Sequence, residues 1–368
     1  MTTEPTGYEH RTPVKITSTS ATERAAFRRC HRQWFLTVVH RLEPVTGNPN
    51  YWLGTLVHKG LEVYYKSLQA GMPHAGATQA ALDAYEDAYD VSLNDLSEGL
   101  GFLWPSVEPG YREMGELGFE MLSNYFEREL GSPVVDEVVD VERRVKVPIK
   151  SSHQRAHRIG WLSVQADLVG RRDGGRLAVV DHKTAGRDPN VSQLDIDDQL
   201  TAEVYAVWKS SGEFPEEAVY NVLKKRAPQP PKRLKDGKGG VPKLSMDKSQ
   251  QTTYDLYLKE VRALGLNVAD YGEILIYLQE QEELGETQFF RRESVIRTPA
   301  QMEAFERDLY WEYLDMRTVA AHPERAYPSP SPFNCPGCSV RVPCLTIQDD
   351  GDVAAVIKAE LVVAEPRR

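Results

Sequence analysis

Apolar residues recur at helical spacing through the first third of the chain. Between residues 53 and 69, apolar side chains stand three or four positions apart, which is typical of an amphipathic helix. Gly71 and Pro73 end this segment, because both residues are unfavourable inside a helix. Similar periodicity predicts further helices over residues 22–40, 77–96 and 111–130. The first third is therefore predicted to be mostly α-helical.

The pattern changes near residue 134, where β-branched residues become frequent and partly alternate with polar ones. Segments of this kind are typical of strands, and they cover residues 134–149, 161–170, 176–184 and 218–225. The sequence Asp173-Gly174-Gly175 predicts a hairpin turn between the second and the third strand. A helix is predicted over residues 193–210, ahead of the last strand. This order predicts an α/β or α+β core that carries an α-helical arm.

The remainder of the chain alternates between irregular and helical segments. Residues 226–247 are rich in Pro, Gly and Lys and predict an irregular loop. A long amphipathic helix is predicted over 249–283, a strand over 288–297 and a helix over 299–320. The predicted organisation is a flexible N-terminus (1–19), a helical region (20–132), a core (133–332), a cysteine-rich knot (333–345) and a tail (346–368).

Charge and hydropathy narrow the classes of function. The 368-residue chain has 44 basic and 54 acidic residues, a net charge of −10, which argues against nucleic-acid binding over the whole surface. Residues 224–243 nevertheless carry eight basic side chains and one acidic one. No apolar run approaches the ~18 residues that a membrane helix needs, and the N-terminus lacks the apolar stretch of a secretory signal. We therefore expect a cytoplasmic protein that does not enter a membrane.

Two carboxylates and a lysine form the first candidate site. Asp181 and Lys183 stand two positions apart near the end of a predicted strand, so their side chains share a face. Asp167 lies in the preceding strand, which pairs with this one through the predicted hairpin. Two converging carboxylates can hold a hard divalent cation such as Mg²⁺ or Mn²⁺, and the lysine can orient a water. The competing interpretation is an ordinary surface hairpin with unrelated charges.

The four cysteines form the second candidate site. Cys335, Cys338 and Cys344 lie within ten residues, and Cys30 lies about 300 residues upstream. A reducing compartment disfavours disulfides, so the cluster predicts a metal site. Four thiolates suit either tetrahedral zinc or a [4Fe–4S] cluster, and the spacing alone leaves both open.

These motifs together resemble the PD-(D/E)XK nuclease superfamily, and in particular its RecB-like exonuclease branch. The pattern of that branch is a helix with a histidine, a strand with Asp, a strand with D-x-K, and a helix with Gln and Tyr. The chain has His58 in GTLVHKGLE, Asp167 in QADLVG, VVDHKTAGR with Asp181 and Lys183, and Gln199 in DDQLTAEVYAVW. Many relatives have Tyr four residues after the Gln, where this chain has Glu203.

The resemblance implies a restriction-endonuclease-like fold, a mixed sheet flanked by helices, over residues 133–332. It also implies a metal site formed by His58, Asp167, Asp181 and the main-chain carbonyl of His182. Lys183 would position the attacking water and stabilise the transition state, and Gln199 would orient Lys183 or the DNA backbone. The implied activity is metal-dependent hydrolysis of DNA by an exonuclease, on single strands or on ends.

The cysteine arrangement extends this resemblance. One N-terminal cysteine with a C-terminal C-x2-C-x5-C resembles the iron–sulfur staple of RecB-like nucleases, shared with CRISPR-associated single-strand exonucleases. Cys30 also lies in FRRCHRQWF, a context typical of those proteins. The resemblance implies a structural [4Fe–4S] cluster rather than zinc, in a bacterial or phage member. Recombination, viral replication and CRISPR adaptation would all use this chemistry, so the sequence names no protein partner.

Basic residues are the candidate DNA contacts, since phosphates are neutralised by Lys and Arg. They lie in and beside the irregular loop: Lys224, Lys225, Arg226, Lys232, Arg233 and Lys235. Tyr205, in the same predicted helix as Gln199, is a further candidate. The competing interpretation of the basic segment is a solvated loop. The main alternative function is a non-catalytic DNA-binding or assembly module that kept the fold, although the intact D…D-x-K argues against it.

Overall fold

The structure is a computed structural model that describes residues 13–151, 157–235, 242–283 and 287–364. Its strands are β1 (Ser18–Thr19), β2 (Leu42–Pro44), β3 (Glu137–Lys150), β4 (Arg158–Arg172), β5 (Arg176–Ala185), β6 (Glu217–Lys224), β7 (Arg233–Leu234), β8 (Lys243–Leu244), β9 (Phe290–Val295) and β10 (Leu361–Val363). Its α-helices are α1 (Ala21–Arg29), α2 (His31–Trp34), α3 (Pro49–Gln69), α4 (His74–Leu100), α5 (Trp104–Gly131), α6 (Val191–Leu194), α7 (Asp198–Ser211), α8 (Tyr254–Ala263), α9 (Gly272–Glu283), α10 (Pro299–Ala321), α11 (Arg341–Gln348) and α12 (Val353–Glu360). None of the helices in these ranges is long and apolar enough to span a bilayer.

A six-stranded mixed sheet forms the centre of the molecule. β4 pairs antiparallel with β3 along most of its length and antiparallel with β5 through the 173–175 turn, as predicted. β5 and β6 are parallel, and β9 pairs antiparallel with β6. The parallel β5–β6 pair needs a crossover connection, and α7 lies in it.

Helices cover both faces of the sheet. Successive strand residues point to opposite faces, so Val180 packs with α3, α4 and α5, whereas Val179 packs with α7 and α10. The neighbouring strand follows the same rule, with Leu168 on the first face and Val169 on the second. The predicted α/β core, a mixed sheet flanked by helices, is confirmed.

An insertion separates β6 from β9 and has a small core of its own. α8, α9 and the β7–β8 hairpin bury Leu244, Tyr257, Val261 and Ile274 against one another. The predicted single helix over 249–283 is wrong, because the chain adopts a left-handed conformation at Gly265 (φ +64°) and α8 ends there. Residues 236–241 of the predicted basic loop lie outside the described residues.

Both ends of the described chain are more ordered than the sequence suggests. Ser18–Thr19, in the segment predicted to be flexible, pairs in parallel with Trp161–Leu162 of β4, while residues 1–12 lie outside the described residues. The predicted tail is corrected as well, because α12 and β10 follow α11 and β10 pairs with β2. The physical reason is apolar burial, since Val353, Ile357 and Leu361 pack against Leu36 and Leu42.

Two arginines of α1 connect the N-terminal segment to the core. Arg24 forms ion pairs with Asp198 of α7 at 2.9 Å and with Glu312 of α10 at 2.6 Å. Arg28, one turn later, contacts the same two carboxylates. The side chain of Arg24 is 0% exposed and that of Arg28 is 45% exposed. The same two carboxylates are therefore paired with one buried arginine and with one partly exposed arginine.

This pair predicts different stability costs for two similar substitutions. Arg24→Ala leaves two carboxylates without their buried partner, which typically costs about 3–5 kcal/mol. Arg28→Ala removes a solvent-screened partner and should cost less than about 1 kcal/mol. Urea unfolding of both variants measures the difference. Equal losses of unfolding free energy would contradict the larger contribution assigned to the buried ion pairs of Arg24.

Candidate active site

The candidate site lies where β4 and β5 stop pairing. The last paired residues of the two strands are Leu168 and Val180. Beyond them the ladder is replaced by a side-chain contact, in which the His182 backbone N–H donates to Asp167 Oδ2 at 2.8 Å. Asp167 and Asp181 are therefore the residues directly adjacent to the last pair, Asp167 on β4 and Asp181 on β5.

Asp181, Lys183 and Gln199 form one hydrogen-bonded group. Asp181 Oδ1 accepts from Lys183 Nζ at 2.7 Å and from Gln199 Nε2 at 2.9 Å. Gln199 Oε1 accepts from the same ammonium at 3.0 Å. Gln199 lies in the first turn of α7, where the Asp197 side chain caps the helix by accepting from the Leu200 N–H. Asp181 and Lys183 meet because they are two residues apart on β5, and Gln199 joins them because α7 begins next to this strand.

The carboxylate of Asp181 is fully buried. Burial raises its pKa to about 6, although the nearby Lys183 ammonium acts in the opposite direction. Burial by itself lowers the pKa of Lys183, but the attraction of Asp181 and Glu203 outweighs it and raises the pKa overall. Asp181 Oδ2 has no hydrogen-bond partner among the described residues. A buried carboxylate oxygen without a partner fits a ligand position for a cation.

Asp167, on β4, contacts His58 of α3. His58 Nδ1 lies 3.5 Å from Asp167 Oδ1. Burial disfavours the charged form of both groups, but their mutual contact outweighs it, lowering the pKa of Asp167 and raising that of His58. The structure thus places His58 beside Asp167, and its role as a metal ligand stays a prediction.

Glu142 of β3 belongs to the same group and was not predicted. One ligand atom each of His58, Glu142 and Asp167 lies within 4.8 Å of the others. Burial raises the pKa of Glu142, and its carboxylate accepts from the Gln165 side chain. Imidazole together with carboxylate oxygens suits Mn²⁺, and the oxygens suit Mg²⁺. This donor set fits a divalent cation.

The position of Glu142 depends on local irregularities. The register of β3 against β4 shifts between Val138 and Asp140, which changes the residues of β3 that share a face. Glu142 itself has a positive φ of +53°, which is uncommon for a residue other than glycine. An acidic residue in a predicted strand was the only signal in the sequence, and it did not give the side-chain direction.

Glu203 also contacts the site from α7. Its side chain is buried, and Oε1 accepts from Gln199 Nε2 at 3.1 Å. Burial, together with the neighbouring carboxylates, raises its pKa well above the ordinary range. The residue that departs from the family pattern is therefore a neighbour of Gln199.

Cys30 lies near the C-terminal cysteine segment in the fold, although the two are about 300 residues apart in the chain. Burial raises the thiol pKa of Cys338, and Cys30 and Cys335 act in the same direction. Burial likewise raises the pKa of Cys344, with contributions from Cys30 and Cys338. Among the described residues, no three cysteine sulfurs lie within 4.8 Å of one another. All four are half-buried, free thiols.

Docking of the C-terminal segment onto the N-terminal helices brings Cys30 close to the segment that carries the other three cysteines. The Ser329 backbone N–H donates to Cys30 Sγ at 3.3 Å, and Asn334 Nδ2 donates to the Arg29 carbonyl at 3.0 Å. Arg32 Nε donates to the Ala326 carbonyl from the other direction. Thiolates are the ligands of zinc and iron–sulfur centres, and a centre shared by all four cysteines stays a prediction.

The predicted DNA contacts are only partly at the surface. Tyr205 is 1% exposed and packs against Phe305, so its assignment as a DNA contact is wrong. Lys224 is also largely buried and pairs with Asp188 at 2.6 Å, because the end of β6 is covered by the loop that follows β5. These two side chains are not available to a phosphate backbone.

The other predicted basic residues lie nearer to solvent. Lys225 donates to Asn50 Oδ1, and Arg233 pairs with Glu260 of α8. Lys232 and Lys235 are exposed, and Arg226 is half-buried. These residues remain predicted DNA contacts.

Comparison with known proteins agrees with this geometry. No curated protein matches the chain. The family model of the PD-(D/E)XK nuclease superfamily matches residues 18–345, a range that includes His58, the paired carboxylates, Lys183 and all four cysteines. This match extends over most of the sequence. The chain therefore belongs to the PD-(D/E)XK nuclease superfamily.

Proposed function

We propose that the protein is a metal-dependent DNA exonuclease that hydrolyses phosphodiester bonds at DNA ends or on single strands. The observation that carries the proposal is the contact of Lys183 with Asp181 and Gln199, beside a second group of His58 and Asp167. A positive side chain next to candidate cation ligands is what hydrolysis of a phosphodiester requires. The exonuclease type is supported by the resemblance to the RecB-like branch.

The residues divide into ligands and charge-stabilising groups. Asp167, Asp181, His58 and Glu142 would hold one or two Mg²⁺ or Mn²⁺ ions, with the His182 carbonyl as a further proposed ligand. When bound, such a cation lowers the pKa of a water and neutralises charge on the scissile phosphate. The Lys183 ammonium stabilises negative charge that develops on the phosphate oxygens. Gln199 holds Lys183 in place through its side-chain carbonyl.

A structural [4Fe–4S] cluster is the second part of the proposal. Cys30, Cys335, Cys338 and Cys344 supply four thiols, the number such a cluster takes. Burial raises the pKa of Cys338 and of Cys344, and the nearby Arg29 and Arg32 oppose this shift only in part. Zinc is the alternative metal for the same ligands.

The direct test uses anaerobically purified protein and end-labelled DNA, linear or circular, single- or double-stranded, with Mn²⁺, Mg²⁺ or a chelator. We expect metal-dependent release of short products from linear single strands and ends. Cleavage of circular DNA would contradict the exonuclease assignment. Binding without cleavage under every condition would instead support a non-catalytic DNA-binding module.

Lys183→Ala should lower the cleavage rate by about 10²- to 10³-fold, because a preorganised charge at the phosphate is lost. DNA binding and the circular-dichroism spectrum should stay near those of the wild type. Lys66→Ala, which removes an exposed lysine of α3 paired with Glu62, is the matched control and should cleave normally. A Lys183→Ala rate above a few per cent of wild type would contradict the assigned role.

Metal binding should weaken as the pH falls. Asp181, with a pKa of about 6, and His58, with a raised pKa, must both lose protons to act as ligands. Because the folded pKa of Asp181 lies above its unfolded value, its ionisation destabilises the metal-free fold as the pH rises through 6. The increase in melting temperature caused by Mn²⁺ should therefore be larger near pH 7.5 than near pH 5.

Two variants test this pH dependence. Asp181→Asn should abolish the Mn²⁺ effect, since a carboxylate ligand is lost. Asp173→Asn, in the exposed hairpin turn, should behave like the wild type. An equal Mn²⁺ effect at both pH values would contradict the ligand assignment of Asp181 and His58.

Cys30→Ser tests the metal centre between the chain ends. The variant should lose iron and brown visible absorption although the other three cysteines are intact. It should also melt at a lower temperature than the wild type, because a closure of about 300 residues is released. Thr346→Ala, close to Cys344 on α11, is the control. Full iron content in Cys30→Ser would contradict a shared centre, and stoichiometric zinc in the wild type would replace the iron assignment.

A further inference from the structure

A row of polar side chains crosses three neighbouring strands behind the candidate site. His182 of β5 is the register partner of Asn221 on β6, and Asn221 is the register partner of Arg292 on β9. Asn221 Nδ2 lies 2.9 Å from His182 Nδ1, and Arg292 Nε donates to Asn221 Oδ1 at 3.1 Å. His182 and Asn221 are buried. A buried polar row is costly unless each group has a partner.

Side chains of α3 and α5 close this row into a ring. Asn221 Nδ2 also donates to Tyr125 OH at 2.9 Å, and Tyr125 OH lies 2.6 Å from Tyr65 OH. Tyr65 OH donates to Glu129 Oε2 at 2.9 Å, and Glu129 Oε1 forms an ion pair with Arg292. The ring thus runs through Asn221, Tyr125, Tyr65, Glu129 and Arg292 and returns to Asn221.

The direction of every hydrogen bond in the ring follows from its charged members. Arg292 only donates, so it must face the carbonyl oxygen of Asn221, which leaves the amide N–H groups for the other two contacts. Glu129 as a carboxylate only accepts, so Tyr65 uses its proton there and Tyr125 donates to Tyr65. The Asn221 amide therefore donates to His182 Nδ1, and the imidazole proton stands on Nε2.

His182 connects this ring to the candidate active site. Its backbone N–H donates to Asp167, and it stands between Asp181 and Lys183 in the chain. Its ring stacks on Tyr65, with 5.4 Å between centroids and 15° between planes. The imidazole is thus held at one edge by Asn221 and on one face by Tyr65. An imidazole held in this way also fixes the main chain at His182, which carries Asp181 and Lys183 on either side.

We propose that Asn221 is a positioning residue of the nuclease site, which holds the His182 imidazole as its Nε2–H tautomer and thereby sets the strand that carries Asp181 and Lys183. The proposal rests on the proposed function. Asn221 acts through His182 and needs no contact with metal or DNA. Residues that orient metal ligands in this indirect way typically contribute about 10- to 100-fold to metal affinity or activity.

Asn221→Leu is the first test, because leucine is similar in size and offers no hydrogen bond to His182. We expect Mn²⁺ affinity, measured by calorimetry, and kcat each to fall by about 10- to 100-fold, while KM for DNA stays near the wild-type value. Wild-type affinity and kcat in a folded Asn221→Leu protein would overturn the proposal.

Tyr85→Phe is the matched control. Tyr85 is buried in the same helical layer, and its hydroxyl donates to the Gly115 carbonyl at 2.7 Å, without a link to His182. This variant also loses a buried hydrogen bond, so it should lower the melting temperature and leave Mn²⁺ affinity and kcat unchanged. Equal functional losses in both variants would show that activity follows stability, and the proposal would fail.

The tautomer provides a readout that is independent of activity. In metal-free protein labelled with ¹⁵N-histidine, the His182 signals, assigned by their absence in His182→Gln, should show a protonated Nε2 and an unprotonated Nδ1. In Asn221→Asp the carboxylate only accepts, so the proton should move to Nδ1. A wild-type proton on Nδ1, or an unchanged pattern in Asn221→Asp, would overturn the proposal.

DNA cleavage, Mn²⁺ affinity and the imidazole signals together distinguish a failure of the proposed function from a failure of the role proposed for Asn221. If the wild type cleaves no DNA, the proposed function fails, while Mn²⁺ affinity and the imidazole signals still decide the role of Asn221. If Asn221→Leu does not fold, the signals of the wild type and of Asn221→Asp decide it.

Discussion

A carboxylate buried inside the sheet is the constraint on which the site depends. Asp181 is fully buried, and removing a charge from water costs several kcal/mol unless it is paired. Lys183 and Gln199 satisfy one of its oxygens, and α7 must start where it does to supply the glutamine. The β4–β5 ladder ends at Leu168 and Val180, directly beside the two carboxylates, and the His182 backbone N–H donates to Asp167 instead. The start of α7 and the end of the β4–β5 ladder thus both lie at one buried charged group.

Much of this arrangement could be predicted because its determinants are local in the sequence. The hairpin turn fixes which residues of β4 and β5 face each other, so the sequence alone was enough to place Asp167 and Asp181 together. Helix and strand periodicity predicted the sheet and its flanking helices for the same reason. The single helix expected over 249–283 failed at Gly265, a left-handed glycine just after the end of α8, which is a local stop signal that the periodicity does not carry.

The residues that could not be predicted depend on contacts between distant segments. Glu142 faces Asp167 only because the register of β3 shifts by one residue. Asn221 and Arg292 meet His182 through the order of strands in the sheet, which no short motif encodes. Tyr205 lies in the core because α10 covers that face of α7. A side chain on an amphipathic helix cannot be assigned to core or surface until its neighbours are known.

The insertion between β6 and β9 is attached in a way that makes it separable from the sheet. Its two ends are already neighbours, since the Lys224 backbone N–H donates to the Phe289 carbonyl at 2.8 Å. A segment that leaves and returns at adjacent strand ends imposes little chain-closure entropy on the rest of the fold. Because it also buries its own apolar residues, its length and sequence can change in evolution without disturbing the nuclease core. A change in this module would alter the surface that it adds beside β6, while the six-stranded sheet keeps its own pairing.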